Sequence, residues 1–309
     1  MNYKKTQYDR VINIIKQDDI FNGDNGYGVF RGKQRPFILN QAKNNLYPEI
    51  AVDCLDYFDF NKINWWNGKL TNHTLSSQVA CLNHLFLIRN DKKAVLDMVK
   101  HIEPNITDIL EIKTDTYMPA FIQFEATSDF DHLNEKTSTR GSNCTSIDAL
   151  IYGMHKDGRK ILFPIEWKYV ETYGNANKAN GKGGEIRKKR YTDLINQSEQ
   201  LISINPNLYY FEPFFQLMRQ TLWAEQIIKH KDVESIKVDD YMHIHVIPFE
   251  NYELLKKTYR CSGKGLEATW RSCIKIQEKY NIISPKSFLA PIDPIRYKDL
   301  IIYLNKRYW

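Results

Sequence analysis

The chain has 309 residues, is 42% hydrophobic and carries a net charge of +6 at pH 7. That length allows one large domain or two small ones, with enough apolar sequence for a sizeable core. The mild positive charge permits nucleic-acid binding without demanding it, so local clustering of charge matters more than the total. No apolar run is long enough to span a membrane. The five cysteines, Cys54, Cys81, Cys144, Cys261 and Cys273, form no CxxC pair. This argues against a zinc knuckle and suggests reduced thiols in a cytoplasmic protein. Met1 to Asp9 holds no apolar signal core.

Residues 1–75 read as a helix from Tyr8 to Gln17, followed by loop-rich aromatic sequence that includes Trp65 and Trp66. We expect an N-terminal extension here, serving as a recognition element or as a lid. Ser76 is placed to cap a helix running to Arg89, and a second helix covers about Lys92 to His101. Phe121 to Glu125 is a short strand candidate. Thr145 to His155 and Lys160 to Val170 are two adjacent strand-like runs. Thr172 to Arg190 is polar and rich in Gly, Asn and Lys, which predicts a flexible basic loop. Glu212 and Pro213 open a helix from Phe214 to Lys229. Tyr241 to Ile247 alternates as a strand, and a helix at about Arg296 to Arg307 ends the chain. Strands interleaved with helices make this α/β.

The two central runs carry the chemistry. In the second, Ile161, Phe163, Ile165, Trp167 and Tyr169 share one face, while Glu166 and Lys168 share the other with Leu162, Pro164 and Val170. Charges on a strand apolar on both sides are costly unless paired or metal-bound. The first run is also apolar on both faces but holds Asp148, as expected of a central strand covered by helices. Lys156-Asp-Gly-Arg159 is a hairpin turn signal. A two-residue loop would set Asp148 against Trp167. A three-residue loop, with Gly158 at the left-handed position, sets Asp148 opposite Glu166. Two carboxylates and a lysine at one end of a hairpin suit a divalent metal, a phosphodiester and a positioned water, which points to a nuclease.

At these residues the chain resembles the PD-(D/E)XK, or restriction-endonuclease-like, nuclease superfamily. That superfamily has an acid on one core strand and Glu-x-Lys on the next, here Asp148 and Glu166-Trp-Lys168. Ile147 stands where its proline is expected. The longer runs Glu185-Ile-Arg-Lys-Lys-Arg-Tyr191 and Gln216-Leu-Met-Arg-Gln-Thr-Leu-Trp-Ala-Glu225 are similar to a poorly characterised bacterial branch. The resemblance covers roughly residues 76–250. It implies a mixed central sheet flanked by helices, with residues 76–250 as nuclease core. Residues 1–75 would then be an N-terminal extension, and residues 251–309 a C-terminal helical elaboration.

The implied function is a metal-dependent deoxyribonuclease of restriction or phage defence. Asp148, Glu166 and the Trp167 backbone carbonyl would hold Mg²⁺ or Mn²⁺, Lys168 would orient the attacking water, and Glu125 would be a further acid. Two alternatives stay open: a DNA-binding or repair module with a vestigial or partner-dependent site, and an RNase on the same fold. The implied partners are DNA and either a second copy of the chain or another protein of a defence system.

Other candidates carry weaker signals. A second Glu-x-Lys, Glu111-Ile-Lys113, lacks a preceding acidic strand and reads as a chance copy. Lys178, Lys182, Arg187, Lys188, Lys189 and Arg190 suit contacts with a DNA backbone. Gln216, Arg219, Gln220 and Trp223 recur at helical spacing, so one face of that helix can approach the scissile phosphate while another packs on the sheet. His243 and His245 share a strand face, but with no third ligand at hand they read as core histidines.

Overall fold

The computed structural model describes residues 2–65, 68–112, 119–136, 144–202 and 205–309. Trp66 and Lys113 lie outside the described residues. The first helix, α1 (Tyr3–Gln17), begins earlier than the apolar pattern suggests because Asn2 caps it, accepting from the Lys5 backbone N–H. A small hairpin, β1 (Val29–Phe30) and β2 (Lys33–Gln34), precedes helix α2 (Ala51–Phe60). Ser76 caps α3 (Ser77–Leu85) as its sequence predicts, and the expected continuation to Arg89 tightens into a 3-10 turn over Phe86–Ile88. Asp91 caps α4 (Lys92–Ile102) by accepting from Lys93 and Ala94 N–H.

The central sheet is built from β3 (Ile106–Ile109), β4 (Ile122–Ala126), β5 (Ile147–His155), β6 (Lys160–Trp167), β7 (Asp240–Tyr241), β8 (His243–Val246) and β9 (Tyr280–Ile283). β5 and β6 lie at its middle. β3 and β4 both pair antiparallel with β5, at opposite ends of that strand. β7 and β8 both run parallel to β6, and β9 runs parallel to β8. The sheet is therefore mixed, with antiparallel pairing on one side of β6 and parallel pairing on the other, and the fold is α/β and restriction-endonuclease-like.

Between the strands lie α5 (Gly181–Gln197), α6 (Phe214–Lys229), α7 (Tyr252–Leu255) and α8 (Leu266–Arg271), and α9 (Pro285–Leu289) and α10 (Lys298–Arg307) follow β9. Two apolar layers sandwich the sheet. Ala149, Ile151, Phe163, Ile165 and Trp167 face a core shared with α1 to α4, α9 and α10. Leu150, Tyr152 and Leu162 face a second core shared with α5, α6 and α8. The alternation read along β6 thus sends its two faces into two separate cores.

Three features differ from the expectations. The basic segment after β6 is not a flexible loop through Arg190, because α5 starts at Gly181. Its buried stripe is narrow, Gly184, Tyr191 and Ile195, and the surrounding glycines and lysines mask it in the sequence. The strand predicted over Tyr241–Ile247 divides at Met242 into β7 and β8. The C-terminal segment is not helical throughout, since β9 adds a strand to the edge of the sheet.

Candidate active site

The β5–β6 turn decides the geometry. Ala149 pairs with Ile165 and Met154 with Lys160, so the loop is the three-residue Lys156-Asp157-Gly158. Gly158 has φ +88°, a left-handed value that glycine adopts without a Cβ penalty, and its N–H donates to the His155 carbonyl at 2.9 Å. One step beyond the Ala149–Ile165 pair, the same register brings Asp148 opposite Glu166.

The alignment continues across the sheet. On β4, Glu125 lies between the pairs Phe124–Ala149 and Ala126–Ile147, and so beside Asp148. On β8, His245 pairs with Glu166. Titratable residues from four neighbouring strands therefore lie in one row: Glu125, Asp148, Glu166 and His245. Glu125 holds φ +49°, a left-handed conformation for a non-glycine strand residue. Its carboxylate is held by Gln78 Nε2 at 2.7 Å and by the Ser146 hydroxyl at 3.1 Å.

Glu166 is 1% exposed and Lys168 5%, and the two form an ion pair. Helix α6 anchors both. Gln220 Nε2 donates to the second Glu166 oxygen, and Lys168 Nζ donates to Gln216 Oε1 at 2.7 Å. Asp148 accepts from the Trp167 backbone N–H at 2.8 Å, which ties β5 to the Glu-x-Lys backbone. Burial, and then the charges of Glu166 and Glu125, push the Asp148 carboxyl well above its ordinary range, against the opposing pull of Lys168. Burial works against the Lys168 ammonium, but Glu166 and, more weakly, Tyr173, Glu171 and Asp148 outweigh it and hold its pKa well above normal. Burial pushes the Cys81 thiol up, and the same three carboxylates add to the shift. The site is thus a focus of negative charge with one lysine inside it.

Asp148 and Glu125 open onto a cleft of about 520 Å³. Its other walls come from the β1–β2 hairpin, His73, the first turn of α3 and Arg219. Arg219 also binds the buried Glu135, which in turn takes Tyr191 Oη and both the backbone N–H and the hydroxyl of Thr145.

The sequence-predicted residues divide accordingly. Asp148, Glu166, Trp167, Lys168 and Glu125 come together. Gln220, expected near DNA, is 1% exposed and bound to Glu166, so it is not available to a phosphate. Gln216 is half-buried and bound to Lys168. Of the basic residues, Lys182 and Lys189 are exposed on α5. Arg187 is spent on the Lys178 carbonyl, Lys188 on Glu185, and Lys178 faces Glu212 at 3.7 Å. Arg190 is half-buried with its guanidinium over the Tyr191 ring. His243 and His245 are buried, and burial followed by the nearby Lys168 charge keeps both neutral, His243 at about 3. Among the described residues no three acidic, histidine or cysteine side chains converge on one point.

The sequence reading missed Gln78 and Ser146, which hold Glu125. It also missed that His245 borders Glu166. No local signal marks these contacts, because each joins elements far apart in the chain.

No curated protein and no solved structure matches the chain. One family does: REase-ARP, described as "Restriction Endonuclease associating with ARP", matches residues 13–309. That span takes in the last turn of α1, the β1–β2 hairpin, α2 and β9, well beyond the roughly 76–250 suggested by the strand motif. A mixed α/β sheet with Asp148 and Glu166-Trp-Lys168 at its centre, and a match that runs through all of it, place the chain in the REase-ARP family of restriction endonucleases.

Proposed function

We propose that this protein is a metal-dependent deoxyribonuclease of restriction or phage defence, hydrolysing phosphodiester bonds at the row formed by Asp148 and Glu166. One observation carries the reading. The register of the hairpin sets these two carboxylates opposite each other beside Lys168, and Asp148 opens onto a cleft.

The donor set fits a hard divalent cation. Asp148 and Glu166 offer oxygen ligands; burial and then the Glu166 charge raise the Asp148 pKa, and a bound cation would offset that repulsion. With no third side-chain ligand converging among the described residues, the Trp167 carbonyl and water would supply the remaining ligands, as suits Mg²⁺. A bound Mg²⁺ or Mn²⁺ supplies Lewis acidity and lowers the pKa of water. The chain's own groups do the rest. Lys168, charged at neutral pH, orients the attacking water and offsets charge building on the phosphate. Gln216 and Gln220 hold Lys168 and Glu166 in place. Glu125, fixed by Gln78 and Ser146 in a strained conformation, is a further acid at the cleft wall.

The family description supports a partner protein, and cysteines that form no disulfide among the described residues support a reducing cytoplasm. Incubation with plasmid, single-stranded DNA and RNA, each with Mg²⁺ or EDTA, tests the reading. Cleavage of DNA with Mg²⁺ alone is expected. Asp148→Ala, Glu166→Ala and Lys168→Ala should each lower the rate by about 10²- to 10⁴-fold while leaving DNA binding largely intact. Ca²⁺ should support binding with little turnover. Cleavage of RNA only, or a Glu166→Ala variant with wild-type activity, overturns it.

A further inference from the structure

The N-terminal hairpin has no part in the chemistry above, yet it forms a wall of the catalytic cleft. Its turn is Arg31-Gly32, with φ +50° and +73°, the two left-handed residues of a tight two-residue hairpin. Val29 pairs with Gln34 and Phe30 with Lys33. The base is firmly seated. The buried Asp24 carboxylate accepts the backbone N–H groups of Gly26, Asn40 and Gln41 at 2.9–3.0 Å, and Phe30 packs edge-on against His73 at 5.0 Å. The tip, by contrast, is open: Arg31, Gly32, Lys33, Gln34 and Arg35 are all exposed. Among the described residues Lys33 and Arg35 have no acidic partner.

The charge here is one-signed. From Asn25 to Pro48 there is no Asp or Glu, while Arg31, Lys33, Arg35 and Lys43 are cationic. Exposed cationic side chains at a hairpin tip, with Lys33 and Arg35 lacking an acidic partner among the described residues, are out of place in a purely structural element. Its surroundings add a second observation. Phe30 and Arg31 line two hollows. One is the cleft of about 520 Å³ that ends at Asp148 and Glu125. The other, about 400 Å³, is lined by Val29, Asn40, Lys69 and Asn72 and holds no carboxylate.

We propose that the β1–β2 hairpin enters a groove of duplex DNA, with one backbone strand in each of the two hollows and the strand in the Asp148 hollow being the one that is cut. A two-stranded ribbon fits the major groove, and a groove has a phosphate backbone on either side. Arg31, Lys33 and Arg35 meet phosphates and base edges, and the two hollows set the scissile strand against the carboxylates. This inference rests on the deoxyribonuclease reading and adds the element that grips the substrate.

The test is fluorescence anisotropy with a labelled duplex in Ca²⁺, with the salt concentration varied, on the full chain. Arg31→Ala/Lys33→Ala/Arg35→Ala should weaken binding by about 10- to 100-fold and reduce the slope of log K against log salt by about two to three. With Mg²⁺, kcat/KM for the duplex should fall in step with the lost affinity. The single variant Lys33→Glu, at an exposed tip, should shift affinity in the same direction with an unchanged melting temperature. If both variants bind the duplex with wild-type affinity and slope while the wild type cleaves DNA, the hairpin assignment falls and the nuclease reading stands. If the triple variant loses single-stranded RNA binding as fully as duplex binding, the groove assignment is wrong. If the wild type neither binds nor cleaves DNA, the nuclease reading falls and takes the hairpin assignment with it.

Discussion

Gln216 and Gln220 show how single residues set up the site. They lie one turn apart on α6, and each amide meets one partner of the buried ion pair. Burying an ion pair is costly unless its remaining hydrogen-bonding positions are filled, and each amide supplies one such partner. Gln220→Ala removes the donor to Glu166 and leaves a buried carboxylate oxygen short of a partner. It should cost about 1–3 kcal/mol in chemical denaturation, and should lower kcat more than it weakens DNA affinity. Unchanged kcat with normal stability would remove Gln220 from a positioning role. Asp148 allows a test that needs no turnover. Its raised pKa reflects burial and two neighbouring carboxylates, so Asp148→Asn should stabilise the metal-free chain. Wild-type protein should gain about 1.4 kcal/mol at a Mg²⁺ concentration ten times Kd, and the Asn variant should lose that gain in a thermal-shift titration. A gain retained by the variant would place the cation elsewhere.

Helix α5 carries the argument at the scale of elements. Its composition reads as a solvated basic loop, yet Tyr191 and Ile195 dock it on the second core, and Tyr191 Oη reaches the buried Glu135 at 2.5 Å. Gly184 is packed so closely that an added Cβ would lie 2.0 Å from the Ala179 carbonyl. Gly184→Ala should therefore destabilise the chain by about 1–3 kcal/mol, measured by urea unfolding, even though alanine is the better helix former. Helix formation also sorts the cations. Arg187 and Lys188 are used within the helix and its approach, while Lys182 and Lys189 point outward. Lys182→Ala/Lys189→Ala should lower the salt dependence of DNA binding by up to about two units. An unchanged slope would make α5 a solvated face and leave the β1–β2 hairpin as the main cationic contact.

For the molecule as a whole, buried histidines set the response to acid. Burial lowers His73 to about 4 and His84 and His243 to about 3, and takes His245 well below its ordinary value. Each folded pKa lies below the unfolded value of about 6.5. The unfolded chain therefore binds more protons, and stability present above pH 6.5 is lost as pH falls towards 3–4. The raised pKa values of Asp148 and Glu225, both pushed up first by burial, work in the opposite sense. A single histidine kept neutral costs about 2 kcal/mol between pH 7.5 and 5, so urea midpoints should fall clearly over that interval. A flat profile would mean that these rings are solvated or protonated in the folded chain.

The chain's own order of residues determined the α/β class and the two central strands, and favoured the three-residue hairpin loop whose register sets Asp148 opposite Glu166. These are short-range matters: side chains alternate with period two along a strand, and Gly158 suits the left-handed turn position that fixes the pairing. The caps at Ser76 and the amphipathic α6 were legible for the same reason. Only the tertiary structure decided what surrounds the row. Gln220 faces inward because α6 packs over β6. Gln78, some fifty residues upstream, holds Glu125 because α3 meets β4 at the cleft. His245 borders Glu166 because β8 pairs parallel with β6, and residues 280–283 become a strand because β8 offers an open edge. None of these contacts leaves a periodic trace in the sequence, since each depends on which surfaces the packed layers bring together.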